Sequence, residues 1–340
     1  MTRYIFRRLL SSIVVILVII TMSLWLTRQA PSNPCLKERE ANTCGCVKEN
    51  FLDRPVFPVW SSPVLSPVAG CEFYAQTVDA WELGPFKMLP PGEWDETQYA
   101  LYLRTLASGS LGNSMKTDLT VLETLSAGVP YTVQLGLQAL LVALLLGVPA
   151  GLYAGLKQNT AADYATMSVA MVGVSVPNIV LGPLLILLFS IKLGWFTAVG
   201  WETWQDSILP SVTLGLFYAA YVARLTRGGM LEIIRKDFIR TARAKGLREH
   251  VVVYRHALKG ALLPVVSYLG PALAALLTGS VVVEEIFNLP GIGTHFVRSA
   301  LNRDYNLVLG TIILYSSVLV LLNLVVDVLY TFLDPRVSYD

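Results

Sequence analysis

The chain has 340 residues, 54% of them hydrophobic and 15% charged, and a mean hydropathy of +0.56. Soluble domains carry about 25% charged residues, so this composition excludes an ordinary soluble protein. A formal net charge of +2 provides no global basic field for gripping nucleic acid.

A lipid-crossing helix needs roughly 20 apolar residues, because the hydrocarbon layer is about 30 Å thick and offers the backbone no hydrogen-bond partners. Six charge-free runs are predicted to cross: Leu9–Thr27, Thr124–Leu156, Tyr164–Ile191, Ser207–Ala223, Gly260–Val283 and Tyr305–Val326, the fourth being the shortest. The first follows Arg3, Arg7 and Arg8, as a signal peptide would. It exceeds the usual apolar core of about 7–15 residues, and Thr27-Arg28-Gln29-Ala30-Pro31 is a poor cleavage site, so it reads as a retained helix.

Basic residues collect in short cytoplasmic loops. Arg3, Arg7 and Arg8 therefore place the N-terminus inside, and six crossings place the segment between the fourth and fifth runs inside as well. That segment carries ten basic residues, Arg224 to Lys259, against Glu232, Asp237 and Glu249. The C-terminus is expected inside too. The fold class is thus an all-α polytopic membrane protein with six transmembrane helices, N-in/C-in. Its parts are an N-terminal helix at 1–27, an extracytoplasmic cap at 28–123, a transmembrane core at 124–333 with a cytoplasmic loop at about 224–260, and a tail at 334–340.

The cap segment has eight basic residues, twelve acidic ones and nine of the 18 prolines, which is no composition for a helical bundle. Phe51, Phe57, Trp60, Phe73, Trp81 and Trp94 supply enough aromatic mass for a small irregular domain. All four cysteines, Cys35, Cys44, Cys46 and Cys71, fall here, on the predicted oxidising face, and an even count there favours disulfides. A Cys44–Cys46 bond would close a tiny strained ring, so each should pair with Cys35 or Cys71; the two pairings stay open. A four-thiolate metal site would typically have two residues between paired cysteines, and Cys44 and Cys46 have one.

In the cytoplasmic loop, good helix formers run from Asp237 to Lys245, Gly246 suits a helix end or tight turn, and a second helical run covers Arg248 to Leu258. Two short helices hinged at a glycine make a compact peg. Ala242 and Ala244 permit close approach, and the basic residues can pair with a partner or with anionic headgroups.

Within the spans, Ser175 and Asn178 flank Pro177, where backbone carbonyls can be freed toward a cavity. Thr278 and Ser280 sit late in the fifth run, close to Glu284 and Glu285. Ser175, Asn178, Thr278, Ser280 and Glu284 are the pathway candidates, against helix–helix hydrogen bonding as the plainer role. The chain has no phosphate-cradling G-x-x-x-x-G-K-S/T, no H-E-x-x-H and no G-x-S-x-G. His250, His256 and His295 complete no ligand set.

Arg240-Thr241-Ala242-Arg243-Ala244-Lys245-Gly246-Leu247 resembles the EAA loop of ABC importer permeases, in the form carried by the dipeptide, oligopeptide and nickel permease family. Further stretches are similar to that family in the same order. They are Tyr4-Ile5-Phe6-Arg7-Arg8-Leu9 with Ala30-Pro31-Ser32-Asn33-Pro34, Gly109-Ser110-Leu111-Gly112-Asn113-Ser114, Leu193-Gly194-Trp195 and Arg224-Leu225-Thr226-Arg227. Val283-Glu284-Glu285 through Pro290-Gly291-Ile292-Gly293, Arg303-Asp304-Tyr305, Asp327-Val328-Leu329-Tyr330 and Asp334-Pro335-Arg336 complete the set. The chain departs from the general pattern where Arg240-Thr241-Ala242 stands for Glu-Ala-Ala and Leu258-Lys259 for Leu-Pro, and Cys35 to Trp94 has no counterpart.

The resemblance implies the type I ABC importer permease fold, with the disulfide-bonded cap as an insertion, in the inner membrane of a prokaryote. It implies a transport subunit, not an enzyme, with no cofactor of its own. A second permease, two ATPase subunits that bind ATP and Mg, an external substrate-binding protein and membrane lipid are the expected partners, with no nucleic acid. Asp237, Arg240, Thr241, Ala242, Arg243, Ala244, Lys245, Gly246 and Leu247 would form the ATPase-coupling peg. The solute would be a peptide or a similar small molecule. A stand-alone transporter or channel is the alternative; it should show a repeated half or several intramembrane charges, and neither is evident.

Overall fold

The computed structural model describes residues 2–29, 59–61, 81–83, 86–88, 95, 97–117 and 119–333. The four cysteines and the tail at 334–340 lie outside the described residues. The helices are α1 (Thr2–Gln29), α2 (Gln98–Ala107), α3 (Val121–Leu156), α4 (Ala161–Ser175), α5 (Asn178–Leu185), α6 (Ile208–Ile233) and α7 (Asp237–Ala244). After them come α8 (Glu249–Ala261), α9 (Leu263–Gly279), α10 (Val281–Ile286), α11 (Ile292–Asn302) and α12 (Tyr305–Leu333).

Among the described residues, four helical segments are long and apolar enough to cross a membrane: Leu10–Thr27, Val121–Leu156, Trp204–Ile233 and Tyr305–Val325. Two bent pairs stand where the third and fifth runs were expected. The third run breaks at Val176-Pro177, where α4 and the α5 segment to Lys192 meet at 103°, because a proline disfavours helical backbone in the residue before it. The fifth bends by 49° between α8 and α9. The fourth, shortest by charge-free length, is a helix of 26 residues that continues through Arg224 and Arg227 to Ile233.

The chain forms two compact units, one built on Gly128–Thr294 and the other on Arg7–Ala127 with His295–Ser317. In the first, α3 and α6 meet along a glycine seam. A Cβ on Gly147 would lie 2.5 Å from the Ala219 carbonyl oxygen, and one on Gly151 2.3 Å from that of Ala223. Gly155 repeats the spacing against Met230. Lipid supplies no hydrophobic drive between helices, so this backbone-close packing is a main source of cohesion. A core of Leu135, Leu209, Leu214, Leu276, Val283 and Phe287 ties α3, α6, α9 and α10 together.

In the second unit, Ile20 and Leu24 of α1, Tyr102 of α2 and Leu309 of α12 share a core. Two motifs far apart in sequence meet here. Ser114 donates its hydroxyl to Asp304, which also accepts from the Met115 N–H at 3.0 Å and the Leu307 N–H at 3.2 Å. Thr120 and Glu123 form a capping box ahead of α3: the Glu123 N–H donates to the Thr120 hydroxyl at 3.1 Å and the Thr120 N–H to the Glu123 carboxylate at 3.0 Å.

The all-α expectation needs one amendment. β1 (Val59–Ser61), β2 (Trp81–Leu83) and β3 (Phe86–Met88) form an antiparallel sheet in the order β1-β3-β2, with Trp60 opposite Lys87 and Glu82 opposite Lys87. The aromatic cap segment contains regular structure that its proline content concealed.

Candidate functional site

The peg expected from the loop sequence is present as α7 and α8. One face of α7 is fixed: Ile239 and Ala242, three residues apart, are buried against Leu152, Met230, Val252, Val253 and Ala257. The other face, with Phe238, Arg240, Thr241, Arg243, Ala244 and Lys245, is exposed. Ala242 is small because it meets this core, whereas Ala244 leaves the surface open.

Gly246 ends α7 with a φ of +75°. Its N–H donates to the Arg243 carbonyl at 2.9 Å, and the Leu247 N–H reaches back to the Ala242 carbonyl at 3.4 Å, the paired bonds of a Schellman motif. A Cβ at Gly246 would meet nothing within 4 Å, so the glycine answers a conformational requirement rather than a packing one. Across this turn Arg243 clamps Glu249 with two bonds, Nη2–Oε1 at 2.7 Å and Nε–Oε2 at 3.2 Å. The Arg243 guanidinium holds the Glu249 carboxyl below the usual carboxylate range. Both side chains are largely exposed, so the clamp contributes orientation more than stability. Asp237 lies in the first turn of α7, 3.5 Å from Arg240.

One backbone contact fixes the peg's base, and an ion pair fixes the helix that leads to it. A Cβ on Gly229 of α6 would lie 2.2 Å from the Ala261 carbonyl oxygen of α8, so those backbones touch. Arg227 grips Asp163 in the first turn of α4 with two bonds of 2.7 Å, the carboxylate being 1% exposed and Arg227 27%. This neutralisation lets α6 carry a charge past the end of its apolar run.

The pathway candidates separate into two groups. Ser175 returns its hydroxyl to the Met171 carbonyl at 2.9 Å and, with Asn178, flanks the 103° break. Thr278 likewise bonds the Ala274 carbonyl at 2.9 Å. Ser280 and Glu284 are both fully buried, and each carboxylate oxygen of Glu284 is engaged. Thr132 donates to Oε1 at 2.9 Å, Ser280 to Oε1 at 2.5 Å and the Gly293 N–H to Oε2 at 2.7 Å. The Ile292 N–H completes the knot by donating to the Thr132 hydroxyl at 3.0 Å. A Cβ on Gly291 would come 2.2 Å from Oε2, which accounts for the glycine beside Pro290. Thr132 and Asp163 were not singled out from the sequence, and the two motifs that hold Ser114 and Asp304 gave no sign that these residues pair. A hydroxyl within an apolar run and an acid at a helix start were the available signals.

The family described as binding-protein-dependent transport system inner membrane component matches residues 147–339. The oligopeptide transport system permease protein OppB of Salmonella typhimurium is 42% identical over 342 residues, covering 100% of both chains. This chain belongs to that family of inner-membrane transport components. The dipeptide transport system permease protein DppB of Bacillus subtilis is 35% identical over 344 residues, covering 99% of this chain and 98% of its own. Inward-facing MetNI, a methionine ABC transporter, has the same fold at a TM-score of 0.51 and 20% identity, covering 63% of this chain and 97% of its own. As a permease subunit the chain is a multi-pass inner-membrane transport component, not an enzyme.

Proposed function

We propose that this permease pairs with a second, related permease to form the translocation pathway of an ABC importer for oligopeptides or dipeptides. ATP and Mg are held by two partner ATPases, and an external binding protein delivers the solute. The observation that carries the peptide reading is the full-length relationship, at 42% identity, to a protein named as an oligopeptide permease.

The peg is the coupling element of this proposal, through Asp237, Arg240, Thr241, Ala242, Arg243, Ala244, Lys245, Gly246 and Leu247. Coupling by rigid-body motion needs a stiff element with a free outer face. The buried Ile239 and Ala242, the backbone contact at Gly229 and the Arg243–Glu249 clamp support the stiffness, and the exposed residues of α7 supply the face. Both termini are cytoplasmic, six spans cross the membrane if each bent pair counts as one, and the cap is extracytoplasmic with two disulfides among Cys35, Cys44, Cys46 and Cys71.

Ser175 and Asn178, at the break in the third span, are the pathway contacts we favour from the interior polar set. Ser280 and Glu284 shape the pathway from behind, by fixing the turn between α10 and α11 to α3, while Thr278 bonds within its own helix.

The test is reconstitution of the permease with its partner permease, ATPases and binding protein in vesicles. ATP-dependent accumulation of a labelled oligopeptide is expected. Accumulation without ATP, or by this chain alone, would overturn the proposal.

A further inference from the structure

α6 presents distinct faces to its surroundings. Gly215, Ala219 and Val222 meet α3, while Leu216, Ala220 and Arg227 meet α4. At about 100° per residue, Phe217, Tyr221 and Arg224 lie on the side turned away from the α3 seam. They form one continuous stripe. The Phe217 and Tyr221 rings are 5.2 Å apart, Tyr221 stacks on Tyr268 of α9 at 6.0 Å, and the Arg224 guanidinium carbon lies 5.9 Å from the Tyr221 ring centre. The three rings are half-buried and Arg224 is exposed.

The direction of Arg224 is unexpected for a basic residue near the end of an apolar run. Arg227 reaches Asp163 in the first turn of α4, whereas Arg224 turns its Nη2 to the Met171 sulfur. Met171 is eight residues, about 12 Å, further along that helix. An arginine seeking lipid headgroups extends toward the helix end. Arg224 turns the other way, into the apolar span.

A thioether is a weak acceptor, and among the described residues no carboxylate pairs with this guanidinium. The Tyr221 and Tyr268 hydroxyls also have no hydrogen-bond partner there. Acyl chains cannot satisfy such groups. A neighbouring helix is matched best by small residues, as on the α3 seam, and this stripe is bulky. An extended peptide fits all of it: its backbone offers donors and acceptors to the hydroxyls, its planar amides lie against the rings whatever its side chains, and its terminal carboxylate matches the guanidinium fork.

We propose that Arg224, Tyr221, Phe217 and Tyr268 form a subsite on the pathway wall that binds the C-terminal carboxylate and adjoining backbone of the translocated peptide. This inference rests on the peptide reading above. The subsite lies in the half of α6 that leads to the peg, where motion of α7 would reach it.

The test compares uptake of one oligopeptide as its free acid and as its C-terminal amide by the complete reconstituted complex, in wild type, R224Q and R224K. All use the same binding protein, so its preference cancels between variants. R224Q is expected to lower the acid-to-amide uptake ratio about tenfold, the size of one charge-assisted hydrogen bond, and R224K to lie between. Equal losses for both peptides, or no loss, would overturn the subsite while leaving the peptide reading intact. Disappearance of the R224Q effect in vesicles without anionic lipid would assign Arg224 to headgroups and also overturn it. If the wild-type complex carries neither peptide, the peptide reading falls and the subsite with it.

Discussion

The Thr132 hydroxyl donates to the Glu284 carboxylate at 2.9 Å across 152 residues of sequence, and the same oxygen of Thr132 accepts from the Ile292 N–H at 3.0 Å. One side chain thus ties the middle of the chain to the turn between α10 and α11. Thr132→Val keeps the shape and removes both bonds, leaving a buried carboxylate oxygen and a buried amide short of partners. We expect a loss of about 1–3 kcal/mol, read as a lower melting temperature of the purified complex in detergent, and recovery with Thr132→Ser.

The α3–α6 seam makes a second prediction with an internal control. A Cβ at Gly151 would lie 2.3 Å from a backbone carbonyl, whereas one at Gly228 meets nothing within 4 Å. Gly151→Ala should force α3 and α6 apart and reduce the amount of folded permease recovered from membranes. Gly228→Ala should leave it near the wild-type level.

These contacts also show how far the sequence was legible. Charge-free length located the four long apolar helices, and the hinge at Gly246 followed from helix formers running into a glycine. The same criterion cut the fourth span at Ala223, before Arg224, whereas the helix runs on through Arg227. The residue that neutralises it, Asp163, is 64 positions away. Pro177 was visible as a disturbance, but the 103° angle depends on how α4 and α5 pack, which no local pattern encodes. Glu284 drew attention as a charge near a membrane span. Its three donors come from Thr132, Ser280 and Gly293, and only the fold brings Thr132 to it.

The Asp163–Arg227 pair makes a third prediction. Removing Arg227 leaves a carboxylate that is 1% exposed without its ion-pair partner, so Arg227→Met should lower the melting temperature of the permease. Asp163→Leu combined with Arg227→Met should cost less than the single change. A double-mutant cycle in thermal melting measures the difference.

The cap cysteines make a fourth. With two disulfides among Cys35, Cys44, Cys46 and Cys71, alkylation without reductant should label none of the four, and alkylation after reduction should label all of them, as read by intact mass. Complete labelling before reduction would remove the disulfides from the account.

The central claim is that α7 transmits ATPase motion through a peg stiffened at Gly246. Its φ of +75° is accessible to glycine and to asparagine but strained for a β-branched residue, by about 1–3 kcal/mol. The most direct measurement is ATP hydrolysis and peptide uptake, side by side, in reconstituted complexes carrying Gly246→Val or Gly246→Asn. The account predicts that valine leaves hydrolysis running while uptake falls severalfold, and that asparagine retains uptake. Wild-type uptake by the valine variant would contradict it.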